Sequence, residues 1–135
     1  MKKEKAIYLV AGEPSGDFIG SETISELLKL YPDMTIQGVG GHFMEKFNFK
    51  SLFPMNELSI MGILPVLLKI LPLYKRINQV VEDVLSKNPD IVILIDSPDF
   101  NHRVAKKLRK NFFKSPIICY VAPTVWAWRQ KRVKS

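Results

Sequence analysis

The sequence is poor in cysteine: its 135 residues include one, Cys119, so no disulfide can form within the chain. Its start also lacks the basic segment, apolar core and small-residue cleavage site that together mark a secretory signal. These two absences predict a reducing, cytoplasmic setting. Hydrophobic residues make up 47% of the chain and charged residues 24%, which excludes a disordered or collagen-like chain and suffices for one packed domain.

Long hydrophobic runs are also missing, since no stretch reaches the roughly 18 to 20 apolar residues that a membrane-spanning helix needs. The nearest is residues 60–73, which two prolines and a lysine interrupt. It is too short to cross a bilayer. The wider segment 60–76 is rich in apolar residues and carries three bases, which suits either a core helix or a helix lying on an anionic membrane. These bases are Lys69, Lys75 and Arg76.

The common fingerprints of nucleotide and metal sites are absent as well. No Gly-Lys-Ser/Thr follows the glycine-containing loop 12–17, and no Gly-x-Gly-x-x-Gly occurs anywhere. His42 and His102 stand at no metal-ligand spacing, so we interpret both, with Cys119, as structural. The sequence therefore predicts a site without a metal or a cofactor.

Negative charge is missing from one end of the chain. The net charge is +7, and residues 100–135 carry 10 of the 20 basic residues but none of the 13 acidic ones. Such a segment attracts phosphate, nucleic acid or an anionic bilayer, and charge alone does not distinguish them. A noncatalytic nucleotide- or nucleic-acid-binding module is thus an alternative, although the acids in the other loops argue against nucleic acid as a partner.

Apolar periodicity predicts strands that alternate with helices. Continuous β-branched runs of this kind are typical of strands buried on both faces of a parallel sheet. The fold class is therefore α/β, a doubly wound, mostly parallel, Rossmann-like sheet. We expect Pro72 to kink the helix near 63–85 or split it, and Asp99 or Asn101 to cap the helix near 99–111. The predicted strands are 6–11, 34–39, 91–95 and 117–121, and the helices lie near 19–31, 43–47, 63–85 and 99–111.

Unusual loops follow three of the predicted strands, at 12–17, 96–101 and 122–129. Ligands of open parallel sheets bind beyond the carboxyl ends of the strands, so the coincidence of these loops predicts a site. In the first loop, backbone N–H groups and a helix N-terminus favour an anion or a hydroxylated ligand, and Glu13 suits sugar hydroxyls, while the alternative is a tight turn in which Asp17 caps a helix.

The other two loops carry the strongest chemistry. Asp96 and Asp99 stand three residues apart just beyond a buried strand, so either is a candidate general base, with a capping loop as the alternative. The third loop combines tryptophans with Arg129, a pairing that suits sugar stacking, phosphate binding or base stacking. Its alternative is that the tryptophans, Trp126 and Trp128, fill the core.

Together, these motifs identify a family. The sequence resembles the N-terminal part of the lipid-A-disaccharide synthases, bacterial inverting glycosyltransferases of the GT-B type, over essentially the whole chain. Pro65 is a departure, because the family usually carries Glu in that place. The segments that carry the resemblance stand in the family's order and are 9–17, 38–44, Met61-Gly62, 96–101 and 125–132.

The resemblance implies a reaction and a role for each residue of the site. The family transfers 2,3-diacylglucosamine from its UDP form to 2,3-diacylglucosamine 1-phosphate, which gives a β(1→6) disaccharide and UDP without a metal or cofactor. Asp96 matches the base that deprotonates the acceptor's 6-hydroxyl. The implied substrate contacts are Glu13, Ser15, Gly16, Asp17, Asp99, Asn101, Trp128 and Arg129.

The resemblance also bears on the organisation of the chain. Family members have two facing Rossmann-like domains, so we expect residues 1–135 to form a truncated, acceptor-side N-terminal domain, with the UDP-sugar-binding domain absent. The expected partners are the two lipid substrates, the inner face of an anionic inner membrane and a separate C-terminal half. We expect the isolated chain to be inactive and to expose a strand edge.

Overall fold

The computed structural model describes residues 5–120. Strands and helices alternate along this region, and the strand predictions agree with the structure to within a residue. The elements are β1 (Ala6–Ala11), α1 (Pro14–Leu30), β2 (Thr35–Val39), α2 (His42–Glu45), α3 (Asn56–Ile63), α4 (Val66–Lys87), β3 (Ile91–Ile95), α5 (Pro98–Lys110) and β4 (Ile117–Tyr120).

The four strands form one parallel sheet in the order β2-β1-β3-β4. β1 is central because its apolar run leaves no polar side chain to face solvent, and four of its residues are completely buried. The order reverses next to β1, so the ligand crevice of such a sheet lies at that point. The predicted Rossmann-like fold class is confirmed, and β4 lies at the edge of the described sheet.

Helices cover both faces of the sheet. Alternate residues of β1 point to opposite sides, so Leu9 packs with Ile24 of α1 and Met44 of α2. On the other side, Tyr8 and Val10 join a larger cluster that includes residues of α4 and α5. This two-sided burial makes the sheet doubly wound and holds the loops at its upper edge in place.

The expected split at Pro72 is wrong, because α4 continues through that residue, and the expected kink there stays a prediction. The chain breaks instead at Leu64, which is extended and separates α3 from α4. A residue before proline disfavours helical backbone, so Pro65 ends the first helix and stands at the start of the second. Pro72 is tolerated because the residue four positions earlier, Leu68, is exposed and its carbonyl can meet water.

The helix caps also differ from the expectation. α5 begins at Pro98 with Ser97 as its N-cap, so neither Asp99 nor Asn101 caps it. Pro98 favours this early start because its fixed backbone angle suits the first helical position. Asp17 lies inside α1 rather than at its cap, which is Glu13. Within residues 5–120, no helix has the length and apolar character to traverse a bilayer.

Candidate active site

The candidate site lies at the edge of the sheet where the parallel strands end. Ala11 of β1 is in register with Ile95 of β3, which is in register with Tyr120 of β4. The segments 12–17 and 96–101 therefore leave the sheet side by side, as the sequence predicts, although α1 begins within the first and α5 within the second. Loop 122–129 and the predicted contacts Trp128 and Arg129 lie outside the described residues.

Asp96 is the first residue beyond β3 and is held from two sides. Its side chain is 7% exposed, and Ser15 Oγ donates a hydrogen bond to its Oδ2 at 3.2 Å. Its backbone N–H donates to the carbonyl of Tyr120 at 2.8 Å. A Cβ placed on Gly16 would stand 3.4 Å from the same Oδ2, so the start of α1 closes on the carboxylate. Asp96 thus meets the glycine loop, as predicted.

Two consecutive residues after β3 have left-handed backbone. Asp96 has φ 52° and Ser97 has φ 45°, a conformation that costs roughly 1–3 kcal/mol for a residue other than glycine. Asn101 opposes this cost, because its Nδ2 donates to the carbonyl of Asp96 and its N–H donates to the carbonyl of Ser97 at 2.9 Å. Asn101 is 3% exposed, so it holds the turn that aims Asp96.

Close backbone approach joins this turn to the first loop. A Cβ on Gly12 would overlap Oγ of Ser97, so a larger residue there would displace the Ser97 side chain. The carbonyl of Gly12 accepts a hydrogen bond from Ser59 Oγ at 2.6 Å, which ties α3 to the same loop. The two loops and α3 therefore form one packed unit around the site.

Asp17 has a structural task. It is 2% exposed, and its carboxylate accepts hydrogen bonds from the backbone N–H groups of Gly41, Phe43 and Met44 at 2.8–3.0 Å. These groups belong to the start of α2, so Asp17 caps a helix other than its own. Its predicted substrate contact stays a prediction, with the carboxylate already committed to three donors.

A cavity of about 380 Å³ adjoins the two loops. Glu13 and Asp99 are exposed at its wall, and Asp99 pairs with Arg103 at 3.3 Å. The predicted contact Glu13 thus lines an open space, whereas Ser15 and Gly16 face Asp96. Further lining residues are Gly12, Leu58, Ser59, Met61, Gly62, Ile63, Lys69, Leu73, Ser97, Pro98 and Phe100.

Beyond this cavity, an apolar surface runs from the end of α3 along the first half of α4. We call it the hairpin surface. Its side chains are far more exposed than apolar residues usually are, with Leu67 at 87%, Ile63 at 84% and Leu71 at 80%. Most of segment 60–76 is therefore not in the core. The members of the hairpin surface are Ile63, Val66, Leu67, Leu68, Ile70, Leu71 and Tyr74.

Several residues of the site escaped the sequence reasoning. Ser97 lies in the predicted loop 96–101, but its contact with Gly12 arises from tertiary packing and has no local signal in the sequence. Ser59 and Lys69 reach the site because α3 and α4 fold over the ends of the strands. The motif Met61-Gly62 was the only hint in the sequence that this region belongs to the site. Among residues 5–120, no group of three or more His, Cys, Asp or Glu side chains could hold a metal ion.

The fold and the site define a class: a Rossmann-like α/β domain with a nearly buried carboxylate just beyond the end of β3. The family profile described as lipid-A-disaccharide synthetase matches residues 7–135. The chain belongs to this family.

Curated relatives support the assignment. The chain is 44% identical over 128 residues to the lipid-A-disaccharide synthase of Granulibacter bethesdensis, covering 95% of this chain and 32% of the relative. It is 48% identical over 126 residues to that of Ruegeria pomeroyi, covering 93% and 31%. For Rickettsia bellii the identity is 46% over 129 residues, covering 95% and 34%. The chain thus spans about a third of the length of these relatives.

Proposed function

We propose that this chain supplies the acceptor side of a glycosyltransferase. The reaction moves 2,3-diacylglucosamine from its UDP form to 2,3-diacylglucosamine 1-phosphate and gives a β(1→6) disaccharide and UDP. Support comes from membership of the lipid-A-disaccharide synthase family and from the position of one side chain. The observation that carries the proposal is Asp96, a nearly buried carboxylate at the end of β3 that faces the loop after β1.

In the proposed mechanism Asp96 is the general base. It takes the proton of the acceptor's 6-hydroxyl while that oxygen attacks the anomeric carbon of the donor. The new bond from oxygen to the anomeric carbon forms as the bond to UDP breaks, so the configuration inverts and UDP leaves with the electron pair. Ser15 orients the carboxylate through its hydrogen bond, and Asn101 holds the strained turn that presents it. Fixed geometry of this kind lowers the entropic part of the barrier.

We assign the remaining predicted contacts to the sugars. Glu13 lines the open cavity, where a carboxylate can accept hydrogen bonds from sugar hydroxyls. Asp99 lines the same cavity beside its partner Arg103. Trp128 and Arg129 are proposed to contact substrate from the segment outside the described residues.

We further propose that the hairpin surface contacts an anionic membrane, the inner face of the inner membrane. Both substrates carry acyl chains, and the hairpin surface continues from the cavity where the acceptor would sit. A contiguous apolar patch beside Lys75 and Arg76 suits the boundary between lipid headgroups and acyl chains. We propose a cytoplasmic, peripheral location on this basis.

The test of the reaction is Asp96→Asn, with Asp33→Asn as the matched control in an exposed turn. Disaccharide formation from the two lipid substrates is measured in the Rickettsia bellii relative with its matching N-terminal part replaced by this chain, which carries the substitution. We expect Asp96→Asn to lower kcat by about 10² to 10⁴, the usual contribution of a general base, and Asp33→Asn to leave it unchanged. Normal turnover by Asp96→Asn would refute the assignment.

A second measurement concerns the chain alone. Because it spans about a third of its relatives, we propose that the 135-residue chain by itself does not catalyse transfer, and that activity needs a C-terminal half. The same assay on the isolated chain should give no disaccharide. Formation at the rate of the full-length relative would contradict this proposal.

A further inference from the structure

Lys69 is the one basic residue that lines the cavity beside the candidate site, as far as residues 5–120 describe it. The other charged lining residues are Glu13 and Asp99. The floor is apolar and includes the buried side chains of Leu58 and Met61. The cavity therefore combines one cation, two carboxylates that can accept hydrogen bonds from hydroxyl groups, and an apolar floor.

The surroundings of Lys69 differ from those of comparable bases. Within the described part of the chain, Lys69, Arg76 and Lys107 are the half-buried basic residues. Arg76 forms an ion pair with Glu57, and Lys107 donates to Asn78 and lies 4.7 Å from the centre of the Tyr74 ring. For Lys69, no ion pair or hydrogen bond of the side chain occurs among residues 5–120.

The position of Lys69 in its helix makes the absence of a side-chain partner among residues 5–120 more unusual. It stands in the first turns of α4, where the positive end of the helix dipole disfavours a cation. The first turn of α4 contains no acidic residue that would offset this. A partly desolvated ammonium group in such a place is stabilised when an anion binds beside it.

We infer that Lys69 binds the phosphate of a phosphorylated acyl-sugar whose acyl chain lies along the cavity floor. This inference rests on the proposed function and deepens it, because of the two proposed substrates the acceptor is the one that carries a phosphate monoester. Ser97 lines the cavity and directly follows Asp96, whose own side chain accepts the hydrogen bond of Ser15 and lines a smaller neighbouring pocket with Asn101. Lys69 thereby makes the site specific for the phosphorylated acceptor.

The experiment compares two probes, 2,3-diacylglucosamine 1-phosphate and the same lipid without phosphate, both in neutral detergent micelles. Binding to the 135-residue chain and KM in the Rickettsia bellii relative are measured for Lys69→Met, Lys69→Arg and the control Lys106→Met. Lys106 is exposed on α5 and lines none of the described cavities. Lys69→Met should weaken binding of the phosphorylated probe and raise its KM by about 10- to 100-fold. Binding of the unphosphorylated probe should not change.

The remaining variants separate charge at this position from charge in general. Lys69→Arg should restore most of the preference for the phosphorylated probe, and Lys106→Met should keep it all. Equal effects of Lys69→Met on both probes, or no effect on either, would overturn the inference, as would an equal effect of Lys106→Met. A loss of binding to anionic vesicles without any loss toward the phosphorylated probe assigns Lys69 to the membrane and counts against it too.

Failure of this inference is distinguishable from failure of the proposed function. If Asp96→Asn abolishes transfer while Lys69→Met keeps its preference for the phosphorylated probe, the result supports the proposed reaction and refutes the phosphate contact of Lys69. If the relative changed at Asp96 turns over normally while Lys69→Met loses that preference, the phosphate site stands and the assigned base falls.

Discussion

The two halves of α4 carry similar apolar residues and meet opposite environments. In the second half, Val80 and Val84 are completely buried against the sheet. In the first half, Leu67 and Leu71 are mostly exposed and belong to the hairpin surface. The stripe of apolar residues is continuous in the sequence, so its pattern identifies a helix without saying what covers it. The second half stabilises the fold, and the first half leaves its apolar side chains exposed.

The difference in burial between the two halves of α4 is tested most strongly by placing a charge in each half. Val84→Asp buries a carboxylate without a partner, so we expect a loss of about 4 kcal/mol or more, which approaches the whole stability of a small domain. Leu67→Asp places the same charge in solvent and should change stability by less than about 0.5 kcal/mol. Urea unfolding followed by circular dichroism measures both. Equal losses would show that the two halves are buried alike.

The next largest expected effect is on the binding of the chain to lipid vesicles. Replacing Leu67 and Leu71 together by Ser removes two large side chains from the hairpin surface, and burial of one such side chain is worth about 1.5–3 kcal/mol. We expect binding of the chain to phosphatidylglycerol-containing vesicles in a flotation assay to fall by about 10²- to 10⁴-fold. Leu30→Ser is the control, because Leu30 is 71% exposed at the end of α1. Unchanged vesicle binding by the double variant would remove the hairpin surface from the membrane proposal.

A smaller effect sharpens the role of the buried half. Tyr8 is completely buried, and its hydroxyl donates to Asp83 of α4 at 2.7 Å. Burial raises the pKa of the Tyr8 phenol far above its usual range, and the hydrogen bond to Asp83 and its negative charge raise this pKa further. Tyr8→Phe removes the bond, so we expect a loss of about 1–2 kcal/mol near neutral pH.

The pH dependence of stability provides the check on Tyr8. The folded pKa exceeds the unfolded value of about 10, so this contribution is present below pH 10 and is lost as the pH rises above it. The unfolding temperature Tm should therefore fall less steeply between pH 8 and 11 for Tyr8→Phe than for the unchanged chain. Tyr74→Phe in the exposed half should follow the unchanged chain, and a parallel decline in all three would contradict the assignment.

The smallest effect lies where the two halves meet. Arg76 forms an ion pair with Glu57 of α3 and packs over the ring of Phe53, 4.6 Å from its centre. Because both charged groups reach solvent, Arg76→Met should cost about 0.5–1 kcal/mol. Thermal unfolding should show this loss and no change for the exposed neighbour Lys75→Met. A loss of the same size in both variants would mean that the pair with Glu57 is not its cause.

Much of the fold follows from local patterns. The runs 6–11 and 91–95 are continuous and apolar, which is typical of central parallel strands, and both are strands in the structure. The helix breaks were harder to predict because two prolines compete. Pro65 separates two helices because the residue before it favours extended backbone. Pro72 stays inside α4, where the exposed Leu68 four positions earlier can turn its carbonyl to water.

The site was predictable in part. Asp96 stands out in the sequence because it follows a buried strand directly. Its neighbour in space, Ser15, follows the adjacent strand β1, so the parallel sheet brings the two together. The task of Asp17 was not predictable, since its three donors come from residues 41–44, which the sheet topology brings beside α1. Asn101 likewise supports a left-handed turn that no local pattern announces.

By itself, the sequence determined the strands, the order of the loops and the family, because apolar periodicity and motif residues are local properties of the chain. Tertiary structure alone decided which apolar side chains of α4 meet the sheet and which meet solvent. It also placed Lys69 beside a cavity without a partner among residues 5–120. The physical reason is that burial and charge pairing depend on elements distant in sequence, which only the packed sheet brings into contact.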